Sequence, residues 1–179
     1  MKRAPIFWFT GLSGAGKSTV AERTRDRLVA EGCQVLILDG DDIRAKLHRD
    51  LGFSRDDVRT NNALIAELCD ERRSRYDAIL VPVISPYADI REQVRKSLSP
   101  GFFEVFCDTG IEVVSARDTK GLYRRAAKGQ IVDLIGVSEA TPYEAPASPD
   151  LRLPTGSGTP DAAVDLLLGF IQPRLPLAA

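Results

Sequence analysis

The chain has 179 residues, with 24 Lys plus Arg against 25 Asp plus Glu and a formal net charge of −1. Charges of both signs are interspersed, which excludes an electrostatic footprint for nucleic acid or a membrane surface, and the length suits a single domain, 1–179, with its own core. Cys33, Cys69 and Cys107 contain no C-x-x-C pair, and the N-terminal run is too short for a signal or spanning segment, so a disulfide framework and a zinc site are disfavoured and the cytoplasm is expected.

Ile6-Phe7-Trp8-Phe9-Thr10 is the short apolar run of a central parallel strand buried on both faces. It feeds Gly11-Leu12-Ser13-Gly14-Ala15-Gly16-Lys17-Ser18-Thr19, which matches G-x-x-x-x-G-K-[ST]. Such a stretch is either a linking turn or a phosphate cradle, and the strand before it and helix after it favour the cradle. Glycines let successive backbone N–H groups converge on phosphate oxygens. Gly11, Ser13, Gly14, Ala15, Gly16 and Thr19 then surround a nucleoside triphosphate, Lys17 reaches its β- and γ-phosphates, and the Ser18 hydroxyl faces Mg²⁺.

Val20, Leu28 and Val29 give the next helix its apolar face, Gly32 closes it, and Cys33 to Leu38 reads as a second buried strand. Asp39-Gly40-Asp41-Asp42 follows at the carboxyl end of that strand, beside the ligand crevice of an open α/β sheet. A helix is expected from Ile43 to about His48, a lone histidine that reads as a surface residue rather than a proton shuttle. Leu51 to Ser54 is a break, and Ser54, with Asp57 behind it, caps a helix running to about Arg75. The Arg72-Arg73-Ser74-Arg75 end of that helix reads as solvated, favourable against the helix dipole.

Ala78 to Ile84 is a third strand, weakened by Pro82, which cannot donate to a ladder. Ser85-Pro86-Tyr87 then leads to a helix with Ile90, Val94 and Leu98 facing inward. Phe102 to Asp108 is a fourth strand, and Ile111 to Ala116 begins another helix. From Arg117 the pattern loosens into a basic, partly helical segment with Lys120, Arg124, Arg125 and Lys128, then prolines at short intervals from Pro142 to Pro154. Long loops without a role are uncommon inside compact domains, so 117–156 is expected to be a lid over the nucleotide. Asp161 to Ile171 is a closing helix with apolar Ala163, Leu166, Leu167 and Phe170. The alternation predicts an α/β, three-layer P-loop NTPase fold with a mostly parallel central sheet and helices on both faces.

The cradle alone does not separate kinase, GTPase and ATPase. No N-K-x-D base-reading motif is present, and the third strand ends in Ser85 where an ATPase carries a metal-holding aspartate. The metal shell then falls to Ser18 and Asp39, directly or through water. Paired acids Asp39 and Asp41 suit a small-molecule kinase in which one carboxylate takes a proton from the attacking hydroxyl.

With these residues the chain resembles the adenylylsulfate (APS) kinases. The likeness runs through Phe7 to Gly14, Leu38-Asp39-Gly40-Asp41 with Ile43-Arg44, Asp50 to Ser54, Ile84-Ser85-Pro86-Tyr87, Phe103 to Phe106, Arg117-Asp118, Lys120 to Tyr123 and Pro142 to Pro146. It implies transfer of the ATP γ-phosphoryl group to the 3′-hydroxyl of APS, giving PAPS and ADP, with Mg²⁺, in a homodimer. By position, Asp41 orients or deprotonates that hydroxyl with Lys17 as its catalytic counterpart, Arg44 meets the phosphosulfate, and Phe53 stacks on the acceptor base. Asn61 bonds the base or ribose, Ile84 and Ser85 line the acceptor side, Lys120, Gly121 and Leu122 sit in the closing lid, and Arg117 lies against the ATP adenine. Ser85 aligns with a serine proposed in the family as a phosphoenzyme; direct in-line transfer is the simpler route, which makes Ser85 a positioning residue. Tyr87 and Tyr123 read equally as packing residues or ligand contacts.

The departures fall at the acceptor. Asp42 stands where the family has asparagine, and Val58, Ala63 and Leu64 stand where it has arginines. Arg59 is one position off, about 100° around a helix. Leu134 replaces the second aromatic of a base sandwich. They leave open a 3′-kinase of the same family acting on another activated nucleotide, and a nucleotide-binding module without catalysis.

Overall fold

The computed structural model describes residues 3–47 and 50–176; His48 lies outside the described residues. The strands are β1 (Ile6–Thr10), β2 (Val35–Ile37), β3 (Ala78–Pro82), β4 (Phe102–Cys107) and β5 (Leu151–Leu153). The helices are α1 (Lys17–Ala30), α2 (Gly40–Leu47), α3 (Arg55–Arg72), α4 (Ala88–Leu98), α5 (Ile111–Arg117), α6 (Leu122–Ala127) and α7 (Pro160–Ile171). The strands form one sheet in the order β2-β3-β1-β4-β5, and every pairing among the described residues is parallel.

Period-2 alternation of β1 sorts its side chains to two cores. Phe7 and Phe9 face one side with Val20 and Leu28 of α1 and Val164, Leu167 and Ile171 of α7. Ile6 and Trp8 face the other with Ile65 and Cys69 of α3 and Val94 and Leu98 of α4. The result is three layers, helix, sheet and helix, as the alternation predicted.

Several expectations are corrected at the edges. β2 is three half-buried residues at the sheet margin, not a six-residue buried strand, because only β3 pairs with it. Val29 and Leu166, expected on apolar helix faces, are about half exposed, at 51% each. α2 starts at Gly40, ahead of Ile43. A Cβ at residue 40 would lie 2.8 Å from Val83 Cγ2, so glycine lets the start of α2 lean on the segment after β3. Pro82 closes β3 opposite Phe9, beyond Leu80, the last residue paired with β2.

Arg73 is not solvated. It is 2% exposed and donates to the carbonyls of Ala4, Leu98 and Pro100 at 3.1, 2.8 and 2.8 Å, tying the amino ends of β1 and β4 to the end of α3. The stretch 117–156 holds α6, inside the basic segment expected to be partly helical, and the edge strand β5, which its composition did not announce as an element.

Candidate active site

β1 ends at the point where the strand order reverses, with β3 on one side and β4 on the other, which is where open α/β sheets leave a crevice for ligands. The glycine loop fills that place. Gly14 and Gly16 adopt φ of +78° and +91°, and Gly16 is the N-cap of α1 without offering a side chain to it, so the first N–H groups of α1 face the loop. Lys17 is curled over its own loop, its Nζ donating to the carbonyls of Gly11 and Leu12 at 2.8 Å each. Burial pushes its pKa down to about 8, against the upward pull of the Cys107 thiol and the carboxylates of Asp41 and Asp39. Beneath the loop, the Tyr123 hydroxyl donates to the Ser13 carbonyl at 2.7 Å, a bond that braces the cradle.

The two acids leave β2 on the facing wall. Ser18 Oγ donates to Asp39 Oδ2 at 2.6 Å, and the Asp41 N–H donates to Asp39 Oδ1 at 2.9 Å, so one carboxylate fixes both the serine and the first turn of α2. Asp41 Oδ2 in turn accepts from Lys120 Nζ at 2.5 Å. Lys120 comes from the turn between α5 and α6, so the segment expected to close over the site reaches Asp41 on the facing wall. Oxygen donors at Ser18 and Asp39 fit a hard divalent cation that is shared with phosphate oxygens. Among the described residues no three acidic, histidine or cysteine side chains gather around one point.

Loop, acids and lid enclose a cleft of about 490 Å³. Its walls include residues 13–19, Asp39, Asp41, Ile84, Arg117 and Lys120, as expected, and also Val20, Thr119, Thr155 and Thr159, which no motif marked. Arg117 donates to the Gly156 carbonyl at 3.4 Å, joining the two ends of the lid segment.

The remaining acceptor residues are placed less uniformly. Arg44 donates to the carbonyls of Leu51 and Gly52 at 3.0 and 2.5 Å and stacks 4.7 Å from the Phe53 ring centroid, and burial pushes its pKa down. Phe53 is 54% exposed, a ring with one face on a guanidinium and much of the rest open to a partner. Asn61 is buried, and its neighbour Asn62 donates to Ser85 Oγ at 2.7 Å. Gly121 caps α6 with φ of +67°, and Leu122 packs half-buried against the core. Leu134 sits in the same cluster as Leu12 and Tyr123 and does not line the cleft, so a position expected to cover a base serves here as packing behind the loop.

Two of the departures also change meaning. Ala63 borders an outer groove between α3 and α4 and does not line the cleft. Val58 is buried against Tyr87 and Ile90. Arg59 does not take its place: it pairs with Asp56 and, at 3.5 Å, with Asp89 on α4.

A phosphate cradle facing paired carboxylates across one cleft, on this sheet order, defines a P-loop phosphotransferase. Residues 3–154 match the family described as Adenylylsulphate kinase, and the chain belongs to that family. It is 42% identical over 170 residues to the adenylyl-sulfate kinase of Geotalea daltonii, covering 94% of this chain and 83% of that one. With the adenylyl-sulfate kinase of Vibrio cholerae the identity is 44% over 174 residues, 97% of this chain and 80% of the relative. The solved APS kinase of Mycobacterium tuberculosis, in complex with AMPPNP and APS, superposes with a TM-score of 0.88 at 37% identity over 96% of this chain and 99% of that one. A gluconokinase from Sinorhizobium meliloti, at 17% identity and a TM-score of 0.61 over 97% and 94% of the two chains, shares the fold alone.

Proposed function

We infer that the chain is an ATP-dependent kinase of adenosine 5′-phosphosulfate, a phosphotransferase with an alcohol acceptor that makes PAPS and ADP. The observation that carries this is the Asp39–Asp41 pair, set opposite Lys17 and Ser18 and reached by Lys120 from the lid. The acceptor 3′-oxygen bonds to the γ-phosphorus, the bond from that phosphorus to the β–γ bridging oxygen breaks, and the hydroxyl proton passes to the Asp41 carboxylate. Asp41 must first exchange Lys120 for the hydroxyl; Lys17 then leaves the Gly11 and Leu12 carbonyls for phosphate oxygens. Ser18 and Asp39 would hold Mg²⁺, which neutralises phosphate charge as the bond breaks. Ser85, with its hydroxyl engaged by Asn62, acts by position. The cytoplasm is the setting we assign, since ATP is made there and buried thiols such as Cys69 and Cys107 stay reduced. A homodimer is the assembly implied by family likeness, and sedimentation equilibrium reads it directly.

A second reading, the same transfer to another activated nucleotide, is favoured by Val58, which puts an apolar side chain where a cation is expected. ADP release with APS and with a panel of 5′-substituted nucleotides separates the two, efficient turnover of APS alone removing the second. Asp41→Asn is expected to lose at least about 100-fold in kcat, the lower end of the range for a positioned acid or base, with ATP binding retained. Full activity in Asp41→Asn sinks the assigned base, and no turnover by the parent chain with any acceptor supports a binding module.

A further inference from the structure

The motif Pro142 to Pro146 and the buried pair Arg91 and Glu104 take no part in the chemistry above, yet they converge on one turn. Arg91 lies on α4 at 3% exposure. Its Nε donates to Glu104 Oε1 at 2.6 Å, one terminal nitrogen donates to the Ser85 carbonyl at 2.8 Å, and the other donates to the Glu144 carbonyl at 2.7 Å. Glu144 is tied to the same turn twice more, its N–H donating to the Pro86 carbonyl at 2.8 Å and its carboxylate accepting the Ala88 N–H at 2.7 Å. Tyr143 lies 2.9 Å from the Thr10 hydroxyl, whose single proton serves the carbonyls of Ile84 or Ser85 at 2.7 and 3.0 Å.

These bonds surround a residue in an unfavourable conformation. Ser85 has φ of +43°, a left-handed backbone that a side-chain-bearing residue keeps only when its surroundings impose it. An arginine suits that task because its planar fork serves three acceptors at fixed angles, which a lysine cannot do.

We propose that Arg91 is a positioning residue: backed by Glu104 and bridged to the Tyr143–Glu144 strap, it holds the Ser85 turn in the shape that receives the acceptor. The inference rests on placing Ser85 at the acceptor side. It also divides the lid, since the strap is fastened to the sheet while Lys120 reaches the cleft from the earlier part.

The test uses the full chain and measures the APS KM at saturating ATP, the ATP KM at saturating APS, and the unfolding temperature. Arg91→Lys keeps a charge for Glu104 and loses the fork. Arg73→Lys is its control, a buried arginine that also serves three acceptors, all of them carbonyls, but at the amino end of the strands. Both variants lower the unfolding temperature; Arg91→Lys alone raises the APS KM, by about tenfold or more, the scale of a small misplacement at a reacting centre, and leaves the ATP KM within about twofold. The partly exposed strap variants Glu144→Ala and Tyr143→Phe shift the APS KM in the same direction and carry the test if Arg91→Lys does not fold. An unchanged APS KM in Arg91→Lys, an equal rise in both KM values, or an unchanged APS KM in both strap variants overturns the proposal. Ser85→Ala separates the two levels: if it leaves acceptor kinetics unchanged, the placing of Ser85 falls; if it alters them while the Arg91 and strap variants do not, only the role of Arg91 falls.

Discussion

Lys17 holds its ammonium 2.8 Å from two carbonyls of its own loop, and burial lowers its pKa to about 8. A bound triphosphate brings negative charge to that ammonium and raises its pKa. The complex therefore holds the proton more tightly than the free enzyme. From about pH 8 upward, ATP binding takes up a proton and apparent affinity falls as pH rises. Calorimetry in two buffers of different ionisation enthalpy reads this uptake, and a proton count of zero across the neutral to alkaline range contradicts it. Lys17→Arg, charged throughout, is expected to flatten the pH dependence. Lys17 and the loop around it were legible because the spacing of Gly11 to Thr19 is itself the chemistry. Arg91 and Arg73 were not, since apart from the Glu104 carboxylate their partners are backbone carbonyls outside their own helix, to which any residue type contributes equally; Arg73 is buried rather than solvated for that reason.

At the level of elements, signals written into adjacent residues survived folding and those that depend on a neighbour did not. Ser54 accepts the Asp57 N–H at 3.1 Å, the cap its sequence announced, and Ser54→Ala is expected to cost about 1 kcal/mol in a urea melt. No such local signal exists for β5. Leu151–Leu153 is a strand because it lies in register with Val105, Phe106 and Cys107, a fact held by β4 and not by its own proline-flanked sequence. The lid is joined to the cradle in the same nonlocal way. A Cβ at Gly136, where φ is +82°, would stand 2.3 Å from Leu12 Cδ2. Gly136→Ala is accordingly expected to destabilise the chain by about 1 to 3 kcal/mol, the range for overpacking, on top of backbone strain. An unfolding midpoint equal to the parent's would show that 136 is free to move off Leu12.

Across the whole molecule, the order β2-β3-β1-β4-β5 does what no local pattern can. It sets Asp39, at the end of an edge strand, against Ser18 at the start of the helix after the central one. Nucleotide binding should therefore stabilise the entire domain through both elements, and the metal should add to this only if Asp39 and Ser18 belong to one shell. At a concentration 100-fold above Kd, a nonhydrolysable ATP analogue contributes about 2.7 kcal/mol. For a chain of this size that corresponds to a rise of about 5 to 10 °C in unfolding temperature. Addition of Mg²⁺ is expected to raise the parent chain further, while Asp39→Asn and Ser18→Ala keep the rise due to nucleotide and lose most of the Mg²⁺-dependent part. A full Mg²⁺ increment in Asp39→Asn would move the metal to other oxygens in the cleft and leave Asp39 as the residue that merely holds Ser18 and the first turn of α2. Loss of the nucleotide shift itself in that variant would instead make the acid part of the cradle, because the Asp41 N–H and the Ser18 hydroxyl both depend on its carboxylate.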